Sequence, residues 1–459
     1  MSNFLSPNEI RSRFSALMSD MYQKEVPLYG DLIDLVSEVN QAVLTKQPEL
    51  KQQLELTGEL PRLDLERHGA IRLGTAQELA TIRRIFAVMG MFPVGYYDLA
   101  PAGVPVHSTA FRAIDAESLN QSPFRIFTSL LRLELIDDVN LRNTAAEILA
   151  KRNIFTPKAI ELTEICEQQG GLTKEQAEQF VNEVLETFRW HKEAAVSSEV
   201  YKALHDQHRL IADVVAFKGP HINHLTPRTL DIDAVQAGML KRGIPPKEII
   251  EGPPTRKCPI LLRQTSFKAL EEQVFFINET DKELGSHTAR FGEIEQRGVA
   301  LTPKGRALYD QLLNQSRQLS KEKGVSQEPV GYMEIHQQAF ADFPDSYQEL
   351  QEQGLAYFYY FAKKDAKKLD KPVTSQDIPS LLTQGIIEIE PIVYEDFLPV
   401  SAAGIFQSNL GDAQQKMYDE VSNKQSFEQA LGTAVYDELA LYAEIQQSSI
   451  EACLKALNP

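Results

Sequence analysis

Cysteine, long apolar runs and positive charge are what this chain of 459 residues has little of. Its three cysteines, Cys166, Cys258 and Cys453, are far apart and form no Cys-x-x-Cys pair. That excludes a zinc ribbon and a disulfide framework and predicts a reducing, cytoplasmic setting. No window approaches 18 uninterrupted apolar residues, so no segment is expected to span a membrane. The stretch Met1-Ser2-Asn3-Phe4-Leu5-Ser6-Pro7 has no charged region leading into an apolar core, so no signal peptide is expected. Lys and Arg number 47 against 64 Asp and Glu, a net charge of -17, which argues against a broad basic surface for nucleic acid. What is present is ordinary globular composition, 43% hydrophobic and 24% charged, with length for a large core.

Periodicity divides the chain into six segments. Residues 1–57 read as helical, starting at Ser6-Pro7-Asn8-Glu9, with Ile10, Phe14, Leu17, Met18 and Met21 at helical spacing. Residues 58–142 form a first β-rich module. It has a strand over Leu63 to Leu73, a helix over Thr75 to Met89 with Thr75 as N-cap, strands over Val94 to Leu99 and Val106 to Ile114, and a run from Phe127 to Ile136 that fits a strand or a short helix. Residues 143–218 are a charged helical insertion, within which Thr173-Lys174-Glu175-Gln176 resembles a capping box. Residues 219–300 form a second β-rich module: a strand over Ile222 to Thr226, a helix over Asp231 to Lys241, and strands over Glu248 to Glu251, Ile260 to Leu270, Val274 to Asn278 and Thr288 to Gln296. Residues 301–410 are mixed, with a β-like run from Gly385 to Tyr394, and residues 411–459 are a helical tail from Gln414 to Leu457.

The two β-rich modules repeat one another. His68 and His224 are 156 residues apart, and so are Arg72 and Arg228. At the same offset Thr109-Ala110-Phe111-Arg112-Ala113-Ile114 aligns with Thr265-Ser266-Phe267-Lys268-Ala269-Leu270. One offset at both ends of a shared pattern signals duplication. The expected fold is α+β: two βαβββ modules side by side form a curved sheet around a metal site, with a helical insertion and helical termini. Pseudo-symmetry between the first strands then brings His68 and His224 together.

Two histidines need a carboxylate to make a 2-His-1-carboxylate face. The last strand of the second module supplies Glu293 and Glu295, which alternation places on one face. Residue pattern alone leaves the choice between them open. Core histidines satisfied by backbone groups are the bland alternative. His205 and His208 have helical spacing but no supporting carboxylate, and read as a solvated face. His221 falls on the opposite side of its strand from His224 and reads as a supporting or structural residue.

The segment Glu293-Ile294-Glu295-Gln296-Arg297, with a His-Leu on the first strand, resembles the metal strands of 4-hydroxyphenylpyruvate dioxygenase, a vicinal-oxygen-chelate protein. In that family the Glu before Ile-x-Gln-Arg binds iron, which points to Glu293. A broader resemblance rests on Arg67-His68-Gly69-Ala70-Ile71-Arg72, Asn223-His224-Leu225-Thr226-Pro227-Arg228, Gln264 to Leu270, Thr288 to Glu293, and Leu398-Pro399-Val400-Ser401-Ala402-Ala403-Gly404-Ile405-Phe406. These segments are similar to those of the bacterial 2-oxoadipate dioxygenase/decarboxylase family. The resemblance implies an Fe(2+) enzyme that converts 2-oxoadipate and O2 to D-2-hydroxyglutarate and CO2 in lysine breakdown. It implies His68, His224 and Glu293 as metal ligands and catalytic residues, with Arg72, Val400 and Ser401, beside the two histidines, in contact with substrate. A guanidinium at Arg72 suits a distal carboxylate. Arg228, the twin of Arg72, has no assigned role. A non-redox metal isomerase or lyase on the same scaffold is the alternative, and a metal-free binding protein the third reading.

Overall fold

The computed structural model describes residues 4–277, 282–324, 329–398 and 420–459. A two-residue strand, β1 (Phe4–Leu5), precedes three helices, α1 (Pro7–Glu25), α2 (Pro27–Lys46) and α3 (Pro48–Leu56). Ser6 caps α1 as its sequence predicts. The Ser6 hydroxyl accepts from the Glu9 N–H, and the Glu9 carboxylate accepts from the Ser6 N–H. The apolar stripe of α1 (Ile10, Phe14, Met18 and Met21) is buried.

The first half of the main sheet follows: β2 (Arg67–Leu73), α4 (Ala76–Val88), β3 (Phe92–Asp98), β4 (Val106–Arg112), α5 (Ala116–Gln121) and β5 (Arg125–Leu131). A helical stretch carries α6 (Val139–Lys151), α7 (Pro157–Gln169), β6 (Leu172–Thr173), α8 (Lys174–Leu185), α9 (Ser198–Gln207) and α10 (Arg209–Val215), with β6 paired to β1. The capping box expected at Thr173 and Gln176 starts α8. The second half is β7 (His224–Pro227), α11 (Ile232–Lys241), β8 (Leu262–Ser266), the hairpin β9 (Glu271–Ile277) and β10 (Lys282–Thr288), and β11 (Phe291–Arg297). Beyond it are α12 (Pro303–Glu322), α13 (Pro329–Ala339), α14 (Tyr347–Glu352), β12 (Phe358–Ala362), α15 (Ile378–Thr383) and β13 (Ile387–Pro391), then helices over Glu420–Leu431 and Glu438–Leu457. No helix among the described residues is long and apolar enough to cross a membrane.

The main sheet has seven strands in the order β3-β4-β5-β2-β7-β11-β8. This order is the sequence repeat made visible. β2 lies parallel to β5 as β7 lies parallel to β11, and β4 is antiparallel to β5 as β8 is to β11. β2 and β7 meet antiparallel at the centre, with Gly69 opposite Leu225. A side chain at Gly69 would not fit there. An added Cβ would lie 2.5 Å from Ile222 Cδ1 and 3.1 Å from Leu225 Cδ2.

Several expected strands change. The strand over Leu63 to Leu73 begins only at Arg67, and Phe127 to Ile136 is strand β5 followed by a 3-10 turn at Leu133–Leu135. Glu248 to Glu251 shrinks to one bridge, Glu251 to Gln264. Ile260 to Leu270 shortens to β8. The strand expected over Val274 to Asn278 is, as far as Ile277, part of β9, which pairs with β10 as a hairpin apart from the main sheet, while Asn278 lies outside the described residues; Thr288 to Gln296 splits between β10 and β11. The hairpin was missed because its apolar residues alternate weakly: Phe275 and Leu284 are exposed, while Val274 and Phe276 are buried against the helical stretch.

The two faces of the sheet differ in chemistry. Ile71, Leu73, Leu225 and Ile294 pack into one apolar cluster with α1, α2, α4 and α11. Each such side chain fully buried stabilises the fold by roughly 1.5–3 kcal/mol. The opposite face at the centre of the sheet carries His68, His224, Glu293 and Glu295, all buried.

Candidate metal centre

Strand alternation aims His68 and Ala70 of β2, and His224 and Thr226 of β7, at the same side of the sheet. The antiparallel register sets His68 opposite Thr226. The two imidazoles therefore approach diagonally across the dyad, with ring centroids 5.5 Å apart and planes at 90°. β11, parallel to β7 on its far side, adds Glu293. Its Oε2 lies 3.2 Å from His68 Nε2 and 3.5 Å from His224 Nε2. One ligand atom from each of His68, His224 and Glu293 falls within 4.8 Å of the others, and such a group could hold a metal ion. Glu293 Oε2 also accepts from Thr226 Oγ1 at 3.0 Å and from Gln264 Nε2 at 2.9 Å. Phe397 packs edge-on against His68, and Phe291 stacks on His224 at 4.9 Å.

Glu295 does a different job from Glu293. Its Oε2 lies 2.9 Å from His68 Nδ1, on the side of the ring away from Glu293. The Arg297 guanidinium grips both oxygens of Glu295, at 2.8 and 2.9 Å. A carboxylate on one ring nitrogen fixes the orientation of an imidazole and leaves the other nitrogen to the site. Burial would raise the Glu295 pKa, but Arg297, His68 and Arg125 outweigh it and bring the group down to about 2. Burial also opposes charge on His68, yet Glu295 and Glu293 raise its pKa above the usual imidazole value. His224 has only Glu293 to raise it, and burial outweighs that and lowers it to about 4. Glu293 is held below its ordinary range by His224, His68 and Thr226, against the effect of burial.

Beneath this cluster lies a buried ionic layer. Arg62 binds Glu395 through both terminal nitrogens at 2.9 Å, Arg125 binds Glu66 and Glu395, and Arg228 reaches Glu59 at 2.7 Å and Glu66 at 3.2 Å. Buried charges of this kind persist only when paired and hydrogen-bonded.

The structure thus brings His68, His224 and Glu293 together. Arg72 is on the same face of β2 as His68. Its Nη1 donates to Asp213 Oδ2 of α10 at 2.8 Å. Arg228, by contrast, is consumed by Glu59 and Glu66 inside the ionic layer and has a structural role. Val400 and Ser401 lie outside the described residues. His221 and His287 meet Asp213, forming a second group of three that could hold an ion. His208 caps α10 through its Nδ1, as a local structural residue. Burial raises the Cys258 thiol, despite the neighbouring Arg256 and Lys257. Sequence reading missed Asp213, Thr226 and Gln264. Thr226 and Gln264 were legible in principle, because each sits on a strand whose alternation was assigned; Asp213 was not, since it lies in a helix remote from both modules.

A duplicated half-barrel sheet in an α+β fold carries on its dyad a buried His-His-Glu cluster that could hold a metal ion. The model of the 2-oxoadipate dioxygenase/decarboxylase family matches residues 14–409. The chain belongs to that family, which is a family of enzymes. It is 61% identical over 458 residues to the 2-oxoadipate dioxygenase/decarboxylase of Pseudomonas putida, covering 100% of this chain and 98% of the relative. Against the Escherichia coli 2-oxoadipate dioxygenase/decarboxylase it is 56% identical, covering 99% of each. The crystal structure of Pseudomonas putida hydroxyglutarate synthase in complex with 2-oxoadipate superimposes with a TM-score of 0.92 at 60% identity, covering 100% of both chains.

Proposed function

We propose that His68, His224 and Glu293 hold Fe(2+), and that the enzyme converts 2-oxoadipate and O2 to D-2-hydroxyglutarate and CO2, a step of lysine breakdown carried out in the cytoplasm. The observation that carries this reading is the convergence of two buried imidazoles and one buried carboxylate, in a family whose relatives are named for that substrate. The cluster fits a cation. His224 Nδ1 is buried and has no hydrogen-bond partner among the described residues, and nothing but Glu293, at 3.5 Å, neutralises its Nε2 side. Two imidazoles and one carboxylate match the face used by non-haem Fe(II) oxygenases.

Bound iron would supply a Lewis acid for the 2-oxo acid and a redox centre for dioxygen. The chain's own residues do the rest. Glu295 orients the His68 ring from behind, and Thr226 and Gln264 hold Glu293 by hydrogen bonds to one oxygen. Phe397 and Phe291 cover the two imidazoles with apolar surface that keeps water out. Arg72 takes the distal carboxylate of the substrate, and Val400 and Ser401 bound the pocket that measures its length. The atoms balance: 2-oxoadipate plus O2 equals 2-hydroxyglutarate plus CO2, with one oxygen atom entering the new carboxylate and the other the hydroxyl.

The test is anaerobic loading with Fe(2+), followed by exposure to 18O2 with 2-oxoadipate. Oxygen uptake equal to substrate lost, and 2-hydroxyglutarate carrying two labelled atoms, is the expected result. No turnover by iron-loaded protein would sink the reading. Turnover without oxygen uptake would replace it with the non-redox isomerase or lyase.

A further inference from the structure

Asp213 is the buried residue that the chemistry above leaves unused. It sits on α10, 6% exposed, and among the described residues its carboxylate meets Arg72, Asn223, His221 and His287. Its Oδ2 accepts from Arg72 Nη1 at 2.8 Å, with Asn223 Nδ2 at 3.5 Å. Its Oδ1 lies 2.9 Å from His287 Nε2 and 3.2 Å from His221 Nε2. Behind His287, the Tyr201 hydroxyl meets Nδ1 at 2.8 Å. Trp190 stacks parallel to His287 and meets His221 edge-on at 4.6 Å. A line of contacts therefore runs from Tyr201 through His287 and Asp213 to Arg72, inside an aromatic wall.

Resting on the reading that Arg72 receives the distal carboxylate, we infer that Asp213 is a positioning residue: with His287 and Tyr201 it holds the Arg72 guanidinium in place for a dicarboxylic 2-oxo acid. Two observations favour this. First, among the described residues only Nη1 of Arg72 is hydrogen-bonded, which leaves Nε and Nη2 for a carboxylate. The twin, Arg228, spends both terminal nitrogens on Glu59 and Glu66 and has no such capacity. Second, an arginine side chain that is 19% exposed would sample several rotamers unless anchored, and a preset fork loses less entropy when it binds. His287 comes from the β9–β10 hairpin, which stands in the second half where the first has α5. The element that breaks the repeat thus anchors the arginine that only one half uses for substrate.

The same three groups, Asp213, His221 and His287, could be read as a second cation site. The fixed charges oppose that. Arg72 already occupies the other carboxylate oxygen, and the Arg290 guanidinium lies 4.8 Å over the Trp190 ring that touches His221. A divalent ion would meet one carboxylate already paired with a cation.

The experiment is a double-mutant cycle on the iron-loaded full chain, using 2-oxoadipate and the monocarboxylic 2-oxohexanoate. Asp213→Asn is expected to raise KM for 2-oxoadipate about 10-fold with kcat within about 3-fold, and to leave KM for 2-oxohexanoate unchanged. In an Arg72→Ala background the same change should add less than about 2-fold, because it acts through Arg72. Tyr201→Phe should shift KM the same way by less, and decides the matter if Asp213→Asn does not fold. A KM that falls, an equal loss for both acids, or an additive cycle overturns the proposal. So does a wild-type content of two divalent ions per chain that drops to one in Asp213→Asn. Failure of the functional reading itself is distinguishable, since it shows in the wild type as no turnover of 2-oxoadipate.

Discussion

The two halves of the central sheet share strand order, but only one carries the carboxylate. The registers pair Arg125 with His68 and Phe291 with His224, so Phe127 is the twin of Glu293 and Ser129 the twin of Glu295. The residues that hold Glu293 are also unmatched: Thr226 has Ala70 as its twin and Gln264 has Ser108. Duplication thus delivers a symmetric pair of imidazoles, and divergence of one half supplies the carboxylate that makes the cluster three. A site on a dyad needs one asymmetric change per added function. The second half carries the acidic residue and its hydrogen-bonding partners, while Phe127 of the first half packs with Tyr97 and Phe397 as a dry wall.

The largest effect that tests this contrast is Glu293→Ala. Metal content measured by elemental analysis should fall to background, and turnover with it. Activity that survives Glu293→Ala but not Glu295→Ala would reverse the roles of the two carboxylates. Next is Phe127→Glu, which writes the second half's residue into the first. With Ala70 in place of Thr226, and Ser108 already hydrogen-bonded to Ser129 in place of Gln264, the new carboxylate lacks the donors that Glu293 has. Urea denaturation should show a loss of about 3–5 kcal/mol, and adding Glu293→Phe should not restore metal binding.

A smaller effect concerns pH and a histidine that belongs to the first half alone. His107 is buried, and burial, with Arg132, lowers its pKa to about 4. A folded-state value below the unfolded one means the unfolded chain binds more protons as pH falls. His107 therefore costs no stability above about pH 6.5, and up to about 3 kcal/mol as pH falls from about 6.5 through 4. His107→Gln should flatten the pH dependence of urea stability in that window; an unchanged slope would contradict the burial argument. The mildest change is Glu295→Gln, expected to weaken metal affinity about 10- to 100-fold by loosening His68 without removing a ligand. Equilibrium competition with a chelator measures it.

The offset of 156 residues and strand alternation made much of this legible before any coordinates. They placed His68 and His224 at one centre, put Glu293 and Glu295 on one face, and separated His221 from His224, because periodicity is a local property written residue by residue. The resemblance of short motifs then separated Glu293 from Glu295. The geometry also sets the two apart: Glu295 is bound by Arg297 and turned to the far side of His68.

What local pattern could not reach were contacts made by distant elements. The partner of Arg72 comes from α10, 141 residues further on, and the anchor of that partner comes from a hairpin 74 residues beyond it. The fates of the twin arginines diverge for the same reason. Arg72 and Arg228 look alike in sequence, and only packing decides that one faces Asp213 with half its fork unused while the other is buried among Glu59 and Glu66. Side-chain direction along a strand follows from the chain's own stereochemistry; which charges surround it follows from how remote segments close over the sheet.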